Sequence, residues 1–167
     1  MDLLSYSLFL IASFLGLLTG MILSNMAVEE ITKASRYLKY LNIIIVPTVI
    51  IIAAYSINSM FAIISSAIIL VLLIIFRDRY DYLWVYACMG ALIYLSTLGK
   101  YPFETAIMIF IYGLSIATIE SSRHFKEKIN GKIRLSENKV LIKKLSSRYA
   151  YYLLIGMIFY VVFTYFI

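Results

Sequence analysis

Long apolar runs and short polar breaks alternate along this chain. The runs cover Leu3–Leu23, Leu41–Ile57, Met60–Phe76, Tyr82–Leu98, Pro102–Ile119 and Tyr149–Ile167. A helix of about 20 apolar residues crosses the roughly 30 Å hydrocarbon layer of a bilayer, so each run reads as a membrane-spanning helix. The residue-by-residue alternation of a transmembrane barrel is absent. The pattern therefore predicts an all-α polytopic integral membrane protein. Its six transmembrane helices form three hairpins within a single domain spanning residues 1–167. Only Met1-Asp2 precede the first run, without a basic stretch, and residues 3–23 are expected to be a retained helix rather than a cleaved leader.

The breaks differ in kind. Ile57-Asn58-Ser59 is short enough to predict a tight hairpin between the second and third helices, and 77–81 does the same between the third and fourth. Residues 24–40, SNMAVEEITKASRYLKY, read as an interfacial helix. Ser24 or Asn25 can cap it, Glu29 and Lys33 form an i,i+4 pair, and Val28, Ile31, Ser35 and Leu38 share a face. It is expected to lie on the membrane before the chain turns in. In the longest break, 120–148, Asn130-Gly131 marks a turn, and Ser136 can cap a helix that leads into the last span.

Composition agrees with the pattern. Hydrophobic residues make up 63% of the chain and charged residues 14%, with a mean hydropathy of +0.92, outside the range of soluble domains. Charge then orients the spans. Of the 15 Lys and Arg residues, three lie in 24–40 (Lys33, Arg36, Lys39), two in 77–81 (Arg77, Arg79) and nine in 120–148, leaving only Lys100 for the opposite side. By the positive-inside rule these three segments are cytoplasmic and both termini lie outside a cell membrane.

Three of the cytoplasmic helix openings are written alike: SRYLKYL at 35–41, DRYDYLW at 78–84 and SRYAYYL at 147–153. Arg can snorkel to headgroup phosphates while Tyr sits at the boundary, which makes these stretches anchors. The sharper alternatives are descent from a repeated hairpin, or a ring of Arg36, Arg79 and Arg148 that holds a phosphate or carboxylate. Together with Lys143 and Lys144, these arginines are the candidate contacts to anionic lipid or to an acidic partner. The 120–148 segment alone carries a formal charge of +6, equal to that of the whole protein.

Other candidates lie inside the spans. Ala12, Gly16 and Gly20 form a small-residue ridge suited to close helix packing, within the chain or on a partner. Tyr82, Tyr86, Gly90 and Tyr94 form an aromatic ridge with a notch at Gly90. Pro47, five residues after Asn42, frees a carbonyl one turn back that a polar side chain or a neighbour has to satisfy. Pro102 suits the first helical position and puts Glu104 in the first turn, where the helix dipole favours a carboxylate. Glu104, Tyr112 and Pro47 are the candidate residues for an ion or substrate site, because an acidic residue at membrane depth points to function.

Chemistry is sparse. His124 is the only histidine and Cys88 the only cysteine, so neither a metal site with two histidines nor an intrachain disulfide can form. Asp78 and Asp81 are neutralised by Arg77 and Arg79. No catalytic, cofactor-binding or metal-binding residue is assigned, no cofactor is expected, and nothing points to nucleic acid. Three functional readings follow. The first is a non-enzymatic subunit or accessory factor of a larger membrane complex, its basic cytosolic face on anionic lipid and its spans against other membrane subunits or a second copy. The second is a small transporter or channel with a site near Glu104. The third is a lipid-active membrane enzyme using the cytosolic-face acids with the arginines at the helix openings.

Overall fold

Backbone polar groups have no partner in hydrocarbon except each other, and an apolar chain satisfies them locally by forming helix. The computed structural model, which describes residues 2–26, 28–55, 58–75, 82–127, 143 and 145–166, is all-helical. Six helices follow one another: α1 (Leu3–Met26), α2 (Val28–Tyr55), α3 (Ser59–Ile75), α4 (Tyr82–Leu98), α5 (Pro102–Glu127) and α6 (Tyr151–Phe166). A further helical stretch over 145–149 leads into α6 through a turn at Ala150. Four stretches are long and apolar enough to cross a membrane: Leu3–Ser24, Lys33–Tyr55, Pro102–Ser122 and Leu145–Tyr165. α3 and α4 are also apolar but shorter, with 17 residues each.

Helix ends follow local chemistry where they are described. Asn58 caps α3, its Oδ1 accepting from the amide of Phe61 at 3.1 Å. Pro102 opens α5, with Glu104 in the first turn. The interfacial helix expected over 24–40 does not form a separate element. Residues 28–40 are the first half of α2, which continues through Pro47 to Tyr55. Ser24 is not a cap but lies inside α1, donating to the Gly20 carbonyl at 2.6 Å. The reason is visible in burial. Ser35, Asn42, Val46, Val49 and Ala53 form one buried stripe, so the face that packs in the span also packs beyond it. The C-terminal half of α5 is its partner and likewise outruns the expected span, to Glu127. The Asn130-Gly131 turn and the Ser136 cap lie outside the described residues.

Packing sets the directions. Phe9 meets Phe103, Gly16 meets Phe110 and Gly20 meets Leu114, so α1 and α5 run side by side in the same sense. Tyr86 meets Tyr152 and Tyr94 meets Phe163, so α4 and α6 do the same. The two pairs run opposite to each other, because Tyr6 bonds to Gly156 whereas Ser13, further along α1, meets Tyr152, nearer the start of α6. α2 rests on α5 and α3, and α3 has α2 as its main neighbour.

Candidate functional site

At the α1–α5 interface the glycines allow backbone contact. A methyl group built on Gly16 would stand 2.8 Å from Phe110 Cα, and one on Gly20 would stand 2.9 Å from Ala117 Cβ. Gly113 of α5 faces the Leu17 amide nitrogen from the other side, at 3.1 Å. Real Cβ atoms do not tolerate the first two distances, so the ridge is filled by α5 of the same chain. Ala12, the first member of the ridge, is exposed. It lines a shallow apolar groove of about 340 Å³ together with Leu8, Phe103 and Phe110.

Where α1, α4, α5 and α6 converge, tyrosines fill the space. Tyr86 stacks on Tyr152 with ring centroids 4.5 Å apart, meets Tyr149 edge-on at 5.8 Å and lies over Tyr112 at 6.2 Å. A second group joins Tyr6 to Tyr160 (4.7 Å, stacked) and to Tyr94 (6.3 Å, edge-on). Such pairs contribute about 0.5–1.5 kcal/mol each beyond their burial. The hydroxyls need partners at this depth. Tyr6 donates to the Gly156 carbonyl at 2.7 Å. Ser13 directs its own proton to the Phe9 and Leu10 carbonyls, so it accepts from Tyr152. Gly90 makes the cluster possible, since a methyl there would stand 2.5 Å from the Tyr152 carbonyl oxygen and 3.1 Å from the Gly156 amide nitrogen.

Four buried polar atoms have no partner among the described residues: Oδ1 and Nδ2 of Asn42, the hydroxyl of Tyr86 and that of Ser121. Asn42 is fully buried, one turn after Leu38, whose carbonyl lies 3.4 Å from the Ser115 hydroxyl. Leaving an amide unpaired in an apolar interior costs about 1–3 kcal/mol on the protein mutational scale. Pro47 lacks the amide that would reach the Ile43 carbonyl, and Asn42, which is free to serve as its substitute, does not close that gap.

The residues singled out in the sequence do not converge. Glu104 is exposed at the start of α5, while Tyr112, two turns further along the same helix, is fully buried in the aromatic cluster. Pro47 is buried on α2. Arg36, Lys143 and Arg148 are exposed, and Arg79 and Lys144 lie outside the described residues. Buried polar side chains among the described residues are Ser, Thr and Asn only, so no described charge enters the interior. No group of three metal-ligating side chains occurs among them either. Tyr6, Ser13 and Tyr152 carried no legible signal, because each needs a partner more than a hundred residues away. No protein-family model, curated protein or solved structure matches the chain.

A separate groove opens on the flank of the bundle. α3 packs on α2 and scarcely touches α4, so a gap is left between α3 and α4 over α2. The resulting cavity of about 390 Å³ is lined by Val46, Ile50, Phe61, Leu73, Trp84 and Cys88, among others. Its walls are almost wholly apolar, and the only cysteine of the chain is exposed in it.

Proposed function

We propose that this chain is a six-span integral membrane protein of the cell membrane and a non-enzymatic subunit or accessory factor of a larger membrane assembly. Both termini lie outside and the basic segments 24–40, 77–81 and 120–148 lie on the cytoplasmic side against anionic lipid. The alternating helix directions and the fourteen-to-one division of Lys and Arg support the topology. One observation carries the functional reading: the described interior is packed with stacked tyrosines and holds no charged side chain, whereas α3 packs mainly on α2 and leaves most of its large side chains exposed. A closed, uncharged core suits a scaffold better than a conduit or a reaction centre.

The test is extraction from the native membrane in mild detergent followed by native mass determination. A mass well above the 19.2 kDa of one chain is expected, from a partner or a second copy. A bare single chain would sink the subunit reading. For topology, an Asn130→Cys variant in a Cys88→Ser background should resist a membrane-impermeant thiol reagent applied to intact cells, and efficient labelling would refute the orientation.

A second reading, a small transporter, is favoured by Asn42. A fully buried amide with both polar atoms unpartnered, one turn before a helix proline, is what a polar solute would engage. On this reading the site sits at Asn42 rather than at the exposed Glu104.

A further inference from the structure

The groove between α3 and α4 has a length and a charged end that select one kind of occupant. On α2 it runs from Val46 to Ala54, and on α4 from Trp84 to Leu95. At 1.5 Å per residue these are about 12 and 16 Å. That is about half of the roughly 30 Å hydrocarbon layer, the depth of one leaflet. A partner helix crossing the whole bilayer would run about 30 Å, about twice the length of the groove. A single unbranched acyl chain matches that length.

The charged end is on α2. At about 100° per residue, Arg36, Lys39, Val46, Ile50 and Ala54 fall on one strip of the helix about 80° wide. Arg36 and Lys39 are exposed and have no ion-pair partner among the described residues, and by helical rise they stand about 15 and 10 Å beyond the Val46 end of the groove, from where their long side chains can reach back toward a headgroup. On the facing wall that same end carries Trp84, which is 66% exposed, an interfacial side chain at headgroup level. The strip is thus cationic, then apolar, and stops at mid-bilayer depth. Burying an acyl chain here gains little over lipid solvent, so selectivity must come from the headgroup.

We propose that this groove is a binding site for one anionic phospholipid, its acyl chain lying between α3 and α4 over α2 and its phosphate held by Arg36 and Lys39. The site rests on the bilayer reading above, and it does not require the chain to be a subunit.

The experiment is native mass spectrometry of the detergent-purified protein titrated with phosphatidylglycerol or with phosphatidylcholine of the same acyl chains. The protein mass reports assembly and the adduct mass reports lipid, so the two readings succeed or fail separately. Retention of phosphatidylglycerol is expected to exceed that of phosphatidylcholine about tenfold, the scale of one or two charge-assisted hydrogen bonds. The Arg36→Gln/Lys39→Gln variant should bring the two lipids to parity. Cys88→Trp, which fills the groove from an exposed position, should reduce retention of both lipids without lowering the melting temperature. Lys33→Gln/Lys100→Gln removes the same charge away from the strip and should change nothing. Equal retention of the two lipids by the unaltered protein would overturn the site. So would a preference that survives Arg36→Gln/Lys39→Gln, or one lost equally in the Lys33→Gln/Lys100→Gln control. A protein recovered from membranes by alkaline carbonate without detergent would overturn the bilayer reading beneath it.

Discussion

The two flanks of the bundle are both built from apolar helices and are packed very differently. On the α1–α5 side, backbone meets backbone: Gly16 and Gly20 have no room for a side chain, and Gly113 is tightly enclosed. On the α2–α3–α4 side, α3 packs along α2 but scarcely touches α4. α3 buries only Ala62, Ser66 and Leu73 and exposes Phe61, Ile64, Ile68 and Ile75. In water the second arrangement would collapse, since the hydrophobic effect would close the groove. In hydrocarbon it need not, because lipid tails solvate Ile and Leu as well as another helix does. What separates the flanks is therefore fit, glycine on one side and branched bulk on the other.

The sharpest way to break that comparison is to give the tight flank the side chains of the loose one. Gly16→Leu forces a branched side chain into the Phe110 backbone, and destabilisation of about 3 kcal/mol or more is expected, at or beyond the upper end of overpacking costs. Thermal unfolding in detergent measures it. Ala67→Leu, the matching change on an exposed position of α3, should stay within about 0.5 kcal/mol, as substitutions away from packed features do. Equal losses from the two variants would mean that fit does not distinguish the flanks.

A smaller effect, of opposite sign, is expected at Asn42. Replacing a buried amide whose polar atoms are both unpaired by a side chain of similar size removes a desolvation penalty, so Asn42→Leu should stabilise by about 1–3 kcal/mol. A destabilised Asn42→Leu would show that the amide is engaged in the native membrane. A stabilised variant that loses a transport activity would bring the second functional reading to the front.

The smallest effect concerns the hydroxyls that stitch the tight side. Tyr6→Phe keeps the stacked ring on Tyr160 and removes only the bond to Gly156. Membrane hydrogen bonds average about 0.6 kcal/mol, so a loss of that order is expected by the same unfolding measurement. A loss of several kcal/mol would mean that polar stitching holds this flank as much as close approach does.

Legibility divides along the line between local and distant interactions. The all-helical class and most helix positions were readable, since an apolar chain satisfies its backbone within its own segment, and Asn58 and Pro102 mark their helix ends by local chemistry. The glycine ridge was readable as a close contact, and the tyrosine ridge with Gly90 as packing. Their partners were not: that α5 fills the first and α6 the second is a choice among helices of near-identical polarity. The same reason hides the inward face of each helix. An aqueous protein announces its core by apolar periodicity, but here both faces are apolar and the period carries little information. The separation of residues 24–40 from the following apolar run was misread because Lys33, Arg36 and Lys39 make a polar break in the sequence, and a polar break is not a helix end. Only packing along α5 shows that α2 continues through it. The sequence by itself determined that the chain makes apolar helices, where they break and where positive charge accumulates, because those follow from solvent and local bonding. The tertiary structure alone decided which helices touch through their backbones, which buried amide goes without a partner and where a groove opens, because in lipid these depend on the shapes of distant surfaces.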